Sequence, residues 1–354
     1  MIKDGVSKSK PGLPDKDTDK SLSSIISKVN QRSPTYIIAE IGFNHMGNFE
    51  LAKKMVYGAK KAGVDAVKFQ TFIPGEMVFK KSIHYNLING TSLNFDQYKK
   101  LKIISKKLKL DFFSTAFDLQ SFQLLNKLNV DCIKIASMDL NNFHMFDYLK
   151  KFNKTILLST GMSSYDEIKN SYSFLKKFNK NIFLLHCISN YPTRDEDAKL
   201  GFIKKLKNIS EWKVGYSDHT LGNESASLAV GMGSKIIEKH FTIDNKLKGA
   251  DNKDSLNTSN MSKFVNRIRS TEKIIETFKG KLLRPDMAQK IYFRRFIFAR
   301  SDIKKGEKIS NNNIICLRSQ NKKIIGVDKY FKILNKKAKK NIKKNEPILI
   351  KNLK

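Results

Sequence analysis

The architecture this sequence predicts is a (β/α)8 barrel followed by a small β-rich domain. Three observations lead there. Between residue 34 and about residue 280, eight short apolar runs alternate with helical segments, the size and rhythm of such a barrel. Polar or charged residues stand at or near the end of every run. Beyond that point the texture changes to short strand-like segments with no long helical period. A doubly wound sheet is the structural alternative, but no Gly-x-Gly-x-x-Gly follows any run.

Tyr36–Ile41 reads as the first strand. A helix from Leu51 to Ala62 follows and stops at Gly63, a residue suited to a left-handed helix end. The second strand is Asp65–Thr71, with Val67, Phe69 and Thr71 on one side and Lys68 and Gln70 on the other. The stretch from Phe72 to about Leu93 is long for a loop in a compact domain and reads as a lid or a mobile segment. A helix over Phe95–Leu108 leads to strand three, Phe112–Thr115, and Asp118 caps the helix after it. Strands four to six are Asp131–Ala136, Thr155–Thr160 and Asn181–Cys187, followed by helices at Asn142–Phe152, Tyr165–Phe178 and Leu200–Ile209. Strand seven is Trp212–Tyr216, and a helix from Glu224 to Gly231 separates it from strand eight, Lys235–Phe241. A last helix runs from Thr258 to about Phe278.

The expected domains are a disordered extension (1–33), the barrel (34–280), a linker (281–292) and the small domain (293–354). The extension has no apolar core of a signal peptide. In the small domain, Asp302–Ile309 resembles Asn341–Ile348, which suggests a pseudo-symmetric β fold too small to stand alone.

Lys+Arg number 67 against 33 Asp+Glu, a net charge of +34. The lysines are spread along helix faces without the basic-aromatic clusters of RNA-binding modules, so neither a nucleic-acid nor a membrane partner is expected. No apolar run approaches a membrane span. Three scattered cysteines fit a reducing, cytoplasmic setting rather than a disulfide framework.

The polar residues at the strand ends carry the functional reading. They are Glu40, Lys68 with Gln70, Ser114-Thr115, Lys134 with Ser137, Ser159-Thr160, His186, Ser217 with His219, and Glu238 with His240. Charged groups inside strands are costly unless they line a wet cavity, and in a barrel the C-terminal rim is that cavity. Two imidazoles converging there suit a divalent metal, which could polarise an aldehyde. Lys68 and Lys134 offer charge to a phosphate or carboxylate, with the hydroxyls as donors. Glu40 could move a proton. Carbonyl addition with a phosphorylated, carboxylated partner fits these residues; so does a Schiff-base aldolase using Lys68 or Lys134.

Seven motifs in order resemble the bacterial sialic acid synthases. They are Tyr-Ile-Ile-Ala-Glu-Ile-Gly-Phe-Asn-His-Met-Gly (36–47), Val-Lys-Phe-Gln-Thr (67–71), Ile-Lys-Ile-Ala-Ser (133–137), Leu-Ser-Thr-Gly-Met (158–162), Leu-His-Cys-Ile-Ser-Asn-Tyr-Pro-Thr (185–193), Gly-Tyr-Ser-Asp-His-Thr (215–220) and Glu-Lys-His-Phe-Thr (238–242). The tail, with Asp-Ile-Lys-Lys-Gly-Glu (302–307), resembles their antifreeze-like (SAF, β-clip) domain. The resemblance implies metal-dependent condensation of phosphoenolpyruvate with N-acetylmannosamine or a related 2-acetamido sugar, with legionaminate or pseudaminate as alternative products. It implies Mn²⁺, or Mg²⁺ or Co²⁺, on His219 and His240. It places Lys68, Thr115, Lys134, Ser137, Ser159, Ser189 and Ser217 on phosphoenolpyruvate, and Gln70, Tyr191 and Asp251 on the sugar. Glu40 matches the proton-transfer residue. Arg318 matches an arginine that the small domain lends to the partner's sugar site in a domain-swapped homodimer. Three departures bear on which sugar is used: Leu317-Arg318-Ser319-Gln320 replaces Lys-Arg-Pro-Gly, Ser189 stands where some members carry asparagine, and Asn252 replaces a common histidine. A barrel that has lost activity and acts through its basic surface is the non-enzymatic alternative; it predicts missing site residues, yet Glu40, Lys68, Lys134, His219 and His240 are all present.

Overall fold

The computed structural model describes residues 24, 26–249, 251–276, 283–320 and 324–354. They belong to two compact units divided after Glu276. In the first, eight parallel strands close into a barrel in chain order: β1 Tyr36–Gly42, β2 Ala66–Thr71, β3 Asp111–Ala116, β4 Cys132–Ile135, β5 Thr155–Ser159, β6 Ile182–His186, β7 Val214–Asp218 and β8 Ile236–His240. The last strand pairs with the first, Glu40 opposite His240. The expected barrel is therefore present, with β7 running two residues further than expected, so that Ser217 lies within it.

Local chemistry sets the helix ends. Asn48 caps Phe49–Ala62 by accepting the Leu51 amide, and Gly63, at φ 86°, takes the left-handed turn that ends it. Asn94 and Ser164 each form a reciprocal capping box with a Gln or Glu three residues on. Ala52, Met55, Val56, Ala59 and Ala62 make the buried stripe of the first helix. Each larger apolar side chain buried in this way stabilises the fold by about 1.5–3 kcal/mol.

The pleat decides which residues enter the barrel. Glu40 lies beside Lys68, Thr115 beside Lys134, Ser159 beside Leu185, Leu185 beside Gly215, and Ser217 beside Glu238. Neighbours in register share a face, so this set points inward. His186 is one residue out of phase and turns outward, where its Nε2 meets the Ala198 carbonyl at 2.7 Å and its ring stacks on Tyr216. Ser114 is likewise outside, hydrogen-bonded to Thr71 at 2.7 Å, and Thr160 bonds the Leu185 carbonyl.

Three expectations are corrected. The extension is not disordered throughout: Ile26–Lys28 is a 3-10 turn and Ile26 is only 2% exposed. Ser24 Oγ and the Ile26 amide donate to Asp111 Oδ2 at 3.0 and 2.9 Å, beside the Tyr36 hydroxyl at 2.8 Å. Tyr36 and Asp111 begin their strands, so this segment seals the N-terminal end of the barrel. Val29 packs against the same core as Ile26; residues 1–23 and 25 lie outside the described residues. The stretch 72–93 holds two short helices, Pro74–Met77 and Ile83–Ile88. The segment read as a linker forms the helix Arg284–Phe293, with Pro285 in its first turn, where its missing N–H costs nothing.

In the second unit, β9 Arg295–Ala299 and β10 Ile314–Arg318 pair antiparallel. The two repeat segments meet through reciprocal backbone bonds between Ile303 and Ile342, at 2.8 and 2.9 Å. Glu307 accepts the Lys304 amide just as Glu346 accepts that of Lys343. Ile303, Ile309, Ile342 and Ile348 fill a common core. Among the described residues, no helix is long and apolar enough to cross a membrane.

Ile26→Ala is expected to lower the unfolding free energy by about 2–4 kcal/mol in urea titration. No change would show that the turn does not belong to the core.

Candidate active site

The inward residues converge on one cavity of about 360 Å³ at the C-terminal ends of the strands. That is the size of a small-ligand pocket. Its walls include Glu40, Lys68, Gln70, Thr115, Lys134, Ser137, Ser159, Ser189, Tyr191, Ser217, His219 and His240. These are all the expected site residues except two. Asp251 lines a smaller adjoining pocket with Tyr191, His219 and His240, its Oδ2 lying 3.6 Å from His240 Nδ1. Arg318 belongs to the second unit, at the end of β10, with its guanidinium 5.0 Å from the Phe293 ring centre.

Four buried charges form the floor. Lys134 Nζ is 3.2 Å from Glu238 Oε1, and Lys68 Nζ is 3.7 Å from Glu238 Oε2. Lys68 also pairs closely with Glu40 Oε2 and donates to Thr115 Oγ1 at 2.9 Å. Ser217 Oγ donates to Glu238 Oε1 at 2.8 Å, and Gln70 to Glu40 Oε1 at 3.2 Å. Burial works against the Glu238 carboxylate, but the two lysines outweigh it and hold its pKa below the ordinary carboxylate range. Glu40 goes the other way: burial, aided by the nearby Glu238, lifts it to about 7 against the pull of Lys68. For Lys68, burial is overcome by the two carboxylates and its pKa rises. Glu238 stood among the strand-end residues but received no role from the sequence. The available signal was its position two residues before His240, on the same face.

The two histidines sit with ring centres 5.6 Å apart. Tyr191 packs on both, at 4.2 Å from His219 and 5.7 Å from His240. Burial pushes both imidazoles down to about 4, helped at His219 by His240 and at His240 by Lys68. Both are neutral at pH 7. The Nδ1 proton of His219 goes to the Ile188 carbonyl at 2.7 Å, which leaves Nε2 with a free lone pair. Ser217 Oγ, 3.3 Å from that nitrogen, already spends its proton on Glu238. A neutral imidazole fixed through its other nitrogen is how proteins present a metal ligand. His240 Nδ1 is buried without a hydrogen bond.

Next to the cavity-lining Ser137 and Ser189, the Gly161 amide donates to Ser137 Oγ at 3.1 Å. A Cβ at Gly161 would lie 2.5 Å from Ser189 Oγ and 2.8 Å from Ser137 Oγ. Only glycine lets these two hydroxyls come this close to the backbone at 161, and the hydroxyls can donate to an anion's oxygens.

The sequence profile of the NeuB family matches residues 55–279, and that of the SAF domain matches residues 294–354. The chain belongs to the NeuB family. The N,N'-diacetyllegionaminic acid synthase of Legionella pneumophila is 35% identical over 302 residues, covering 80% of this chain and 85% of that protein. The pseudaminic acid synthase of Helicobacter pylori is 31% identical over 332 residues, 89% and 96% of the two chains. Among solved structures, the N-acetylneuraminic acid synthetase of Leptospira borgpetersenii in complex with citrate shares 34% identity with a TM-score of 0.69, over 73% of this chain and 90% of that one.

In this NeuB-family barrel the histidine pair fits a divalent metal. Two neutral imidazoles, that of His219 oriented by the Ile188 carbonyl, supply nitrogen lone pairs, and the Asp251 carboxylate stands close by. Among the described residues no cluster of three or more His, Cys, Asp or Glu donors is assembled, so the chain itself offers a metal two histidine ligands here.

The sign of Glu40's shift gives a stability test. A carboxyl whose folded value is raised contributes stability that is present below its unfolded value and is lost as pH rises through about 7. Glu40→Gln should abolish that slope. Wild type minus variant stability, from urea titrations, should be more favourable at pH 5 than at pH 8. Parallel curves would show an unshifted Glu40.

Proposed function

We propose that this chain is a nonulosonate synthase that condenses phosphoenolpyruvate with the open-chain form of a 2-acetamido sugar and releases phosphate. One observation carries the reading. Two buried ammonium groups, a proton-transfer carboxyl and a neutral histidine pair face the same cavity. The acceptor assigned first is N-acetylmannosamine, giving N-acetylneuraminate, in keeping with the Leptospira synthetase. A 2,4-diacetamido-6-deoxy hexose, giving legionaminate or pseudaminate, is the second, in keeping with the Legionella and Helicobacter enzymes.

In this reading C3 of phosphoenolpyruvate bonds to the aldehyde carbon and the aldehyde oxygen takes up a proton. Water adds at C2, and the C2–O bond to phosphate breaks. Lys68, Lys134 and Thr115, with Ser137, Ser159, Ser189 and Ser217, hold the carboxylate and phosphate. Gln70, Tyr191 and Asp251 orient the sugar. Glu40, poised near neutrality, moves a proton at the reacting carbons. A divalent metal, Mn²⁺ first and Mg²⁺ or Co²⁺ next, would be held by His219 and His240 and would supply Lewis-acid polarisation of the aldehyde. The Schiff-base alternative needs a neutral amine, whereas Lys68 lies against two carboxylates that favour its charged form and Lys134 is paired with Glu238. We further assign the active form to a homodimer in which Arg318 serves the partner's sugar site. The three free cysteines accord with a reducing, cytoplasmic compartment.

Phosphate release from phosphoenolpyruvate is to be measured with N-acetylmannosamine and with 2,4-diacetamido-6-deoxy hexoses, with and without chelator. Chelator-sensitive release with one acceptor is expected, and His240→Ala should lower it by about 100-fold or more. Release that ignores chelator, or none with any acceptor, contradicts the reading.

Arg318→Ala should raise KM for the sugar while KM for phosphoenolpyruvate stays within about twofold. Mixed with a Glu40→Gln chain, it should regain activity in heterodimers, since one barrel then has both residues. No regain in verified heterodimers argues that Arg318 acts within its own chain.

A further inference from the structure

The outward faces of β7 and β8 hold a second charged group that the proposed chemistry does not use. Lys239 is 2% exposed and Asp218 1%. Lys239 Nζ is 2.8 Å from Asp218 Oδ2, bonds the Thr220 carbonyl closely and reaches the Gly222 carbonyl at 3.4 Å. It lies 5.8 Å from the Phe264 ring centre. All three hydrogens of the ammonium thus have oxygen partners. On the other carboxylate oxygen, Asp218 Oδ1 accepts the Thr220 amide at 2.9 Å and the Thr220 hydroxyl at 2.8 Å. The middle residue of that small turn is His219.

The ion pair therefore joins the residue before one cavity histidine to the residue before the other: Asp218 precedes His219, and Lys239 precedes His240. Strand alternation points the ion pair out and the chemistry in. We propose that Asp218, Lys239 and Thr220 form a positioning clamp that sets the separation and ring orientation of His219 and His240. His219 is the member that needs it. His240 is the last residue of β8, fixed by its ladder, whereas His219 lies just beyond the end of β7. Its ring is held by a hydrogen bond to the Ile188 carbonyl at one nitrogen, with Ser217 Oγ 3.3 Å from the other and Tyr191 packed on its face. Its carbonyl accepts the Thr193 amide at 2.9 Å. Those bonds orient the ring only if the turn stays closed. Without the ammonium, Asp218 is an uncompensated buried carboxylate and two carbonyls lose a donor, so the turn opens to regain water.

This inference rests on the metal reading of the histidine pair, and its test separates the two. Full-length protein stripped with chelator is titrated with Mn²⁺ alone, by calorimetry and by the electron-spin signal of free Mn²⁺. Lys239→Met is the main variant. Thr220→Val, which removes only one hydroxyl, is the mild one in case the first fails to fold. Both should melt cooperatively yet bind Mn²⁺ more weakly, by tenfold or more for Lys239→Met and by about threefold for Thr220→Val. Phosphoenolpyruvate affinity, measured without metal, should stay within twofold. Long-range proton–nitrogen spectra of the metal-free protein should show His219 in its Nδ1–H tautomer in wild type and an averaged tautomer in the variants. Wild-type protein that binds no Mn²⁺ overturns the metal reading, and the tautomer spectra then decide the clamp alone. Variants with wild-type spectra and wild-type Mn²⁺ affinity overturn the clamp.

Discussion

Glu238 holds the inside of this barrel together. It is buried, and it faces Lys134, Lys68 and Ser217, while Lys68 reaches on to Glu40. An unpaired charge at such a place costs several kcal/mol, and even a well-paired one rarely stabilises a fold more than apolar packing would. The group exists only because all four charges arrive together. Their arrival depends on strand register: Glu40 must lie beside Lys68, and Ser217 beside Glu238. A slip of one residue in any strand would turn its charge out of the cavity and leave the partners stranded. Charge pairing and barrel register therefore enforce one another.

The same balance prepares the cavity for an anion. Two ammonium groups face two carboxylates, and one of those carboxylates titrates near neutrality. When Glu40 takes up a proton, the floor carries one net positive charge, ringed by hydroxyl donors. An anion placed there favours the protonated Glu40 still further. In the proposed reaction, anion binding and proton uptake by Glu40 would thus be linked through Lys68, the residue that touches both Glu40 and Thr115.

Alternation made most of this legible in the sequence. Lys68 with Gln70, Ser217 with His219 and Glu238 with His240 each repeat at two residues, so whichever member faces the cavity brings the other with it. His186 went astray because its strand has an apolar residue, Leu185, in the inward phase; the cavity-facing residue there is Cys187, which looks unremarkable in sequence. Glu238 could be seen but not interpreted, since a counter-ion is defined by partners on β2 and β4 that no local pattern reveals. The turn at Ile26 escaped for a compositional reason. Leu22, Ile25, Ile26 and Val29 do repeat at helical spacing, but they form one short group in a polar stretch, and the partner of the Ile26 amide, Asp111, lies 85 residues away. The helix Arg284–Phe293 was obscured by Pro285, which reads as a breaker unless it falls in the first turn.

The strands that build the site carry two layers of polar chemistry on opposite faces. Inside, Ser217, Glu238 and His240 meet the cavity; outside, Asp218 and Lys239 fasten the turn that follows β7. Each face pairs its own charges, Lys68 and Lys134 with Glu40 and Glu238 inside, Lys239 with Asp218 outside. That separation has a mechanical consequence. The inner charges can exchange partners when an anion enters or Glu40 gains a proton, while the outer pair, fully enclosed, keeps its geometry. A site whose inner electrostatics must change during turnover can keep its two imidazoles at a fixed separation only if the restraint lies elsewhere, and the outer face of β7 and β8 is where this sequence puts it.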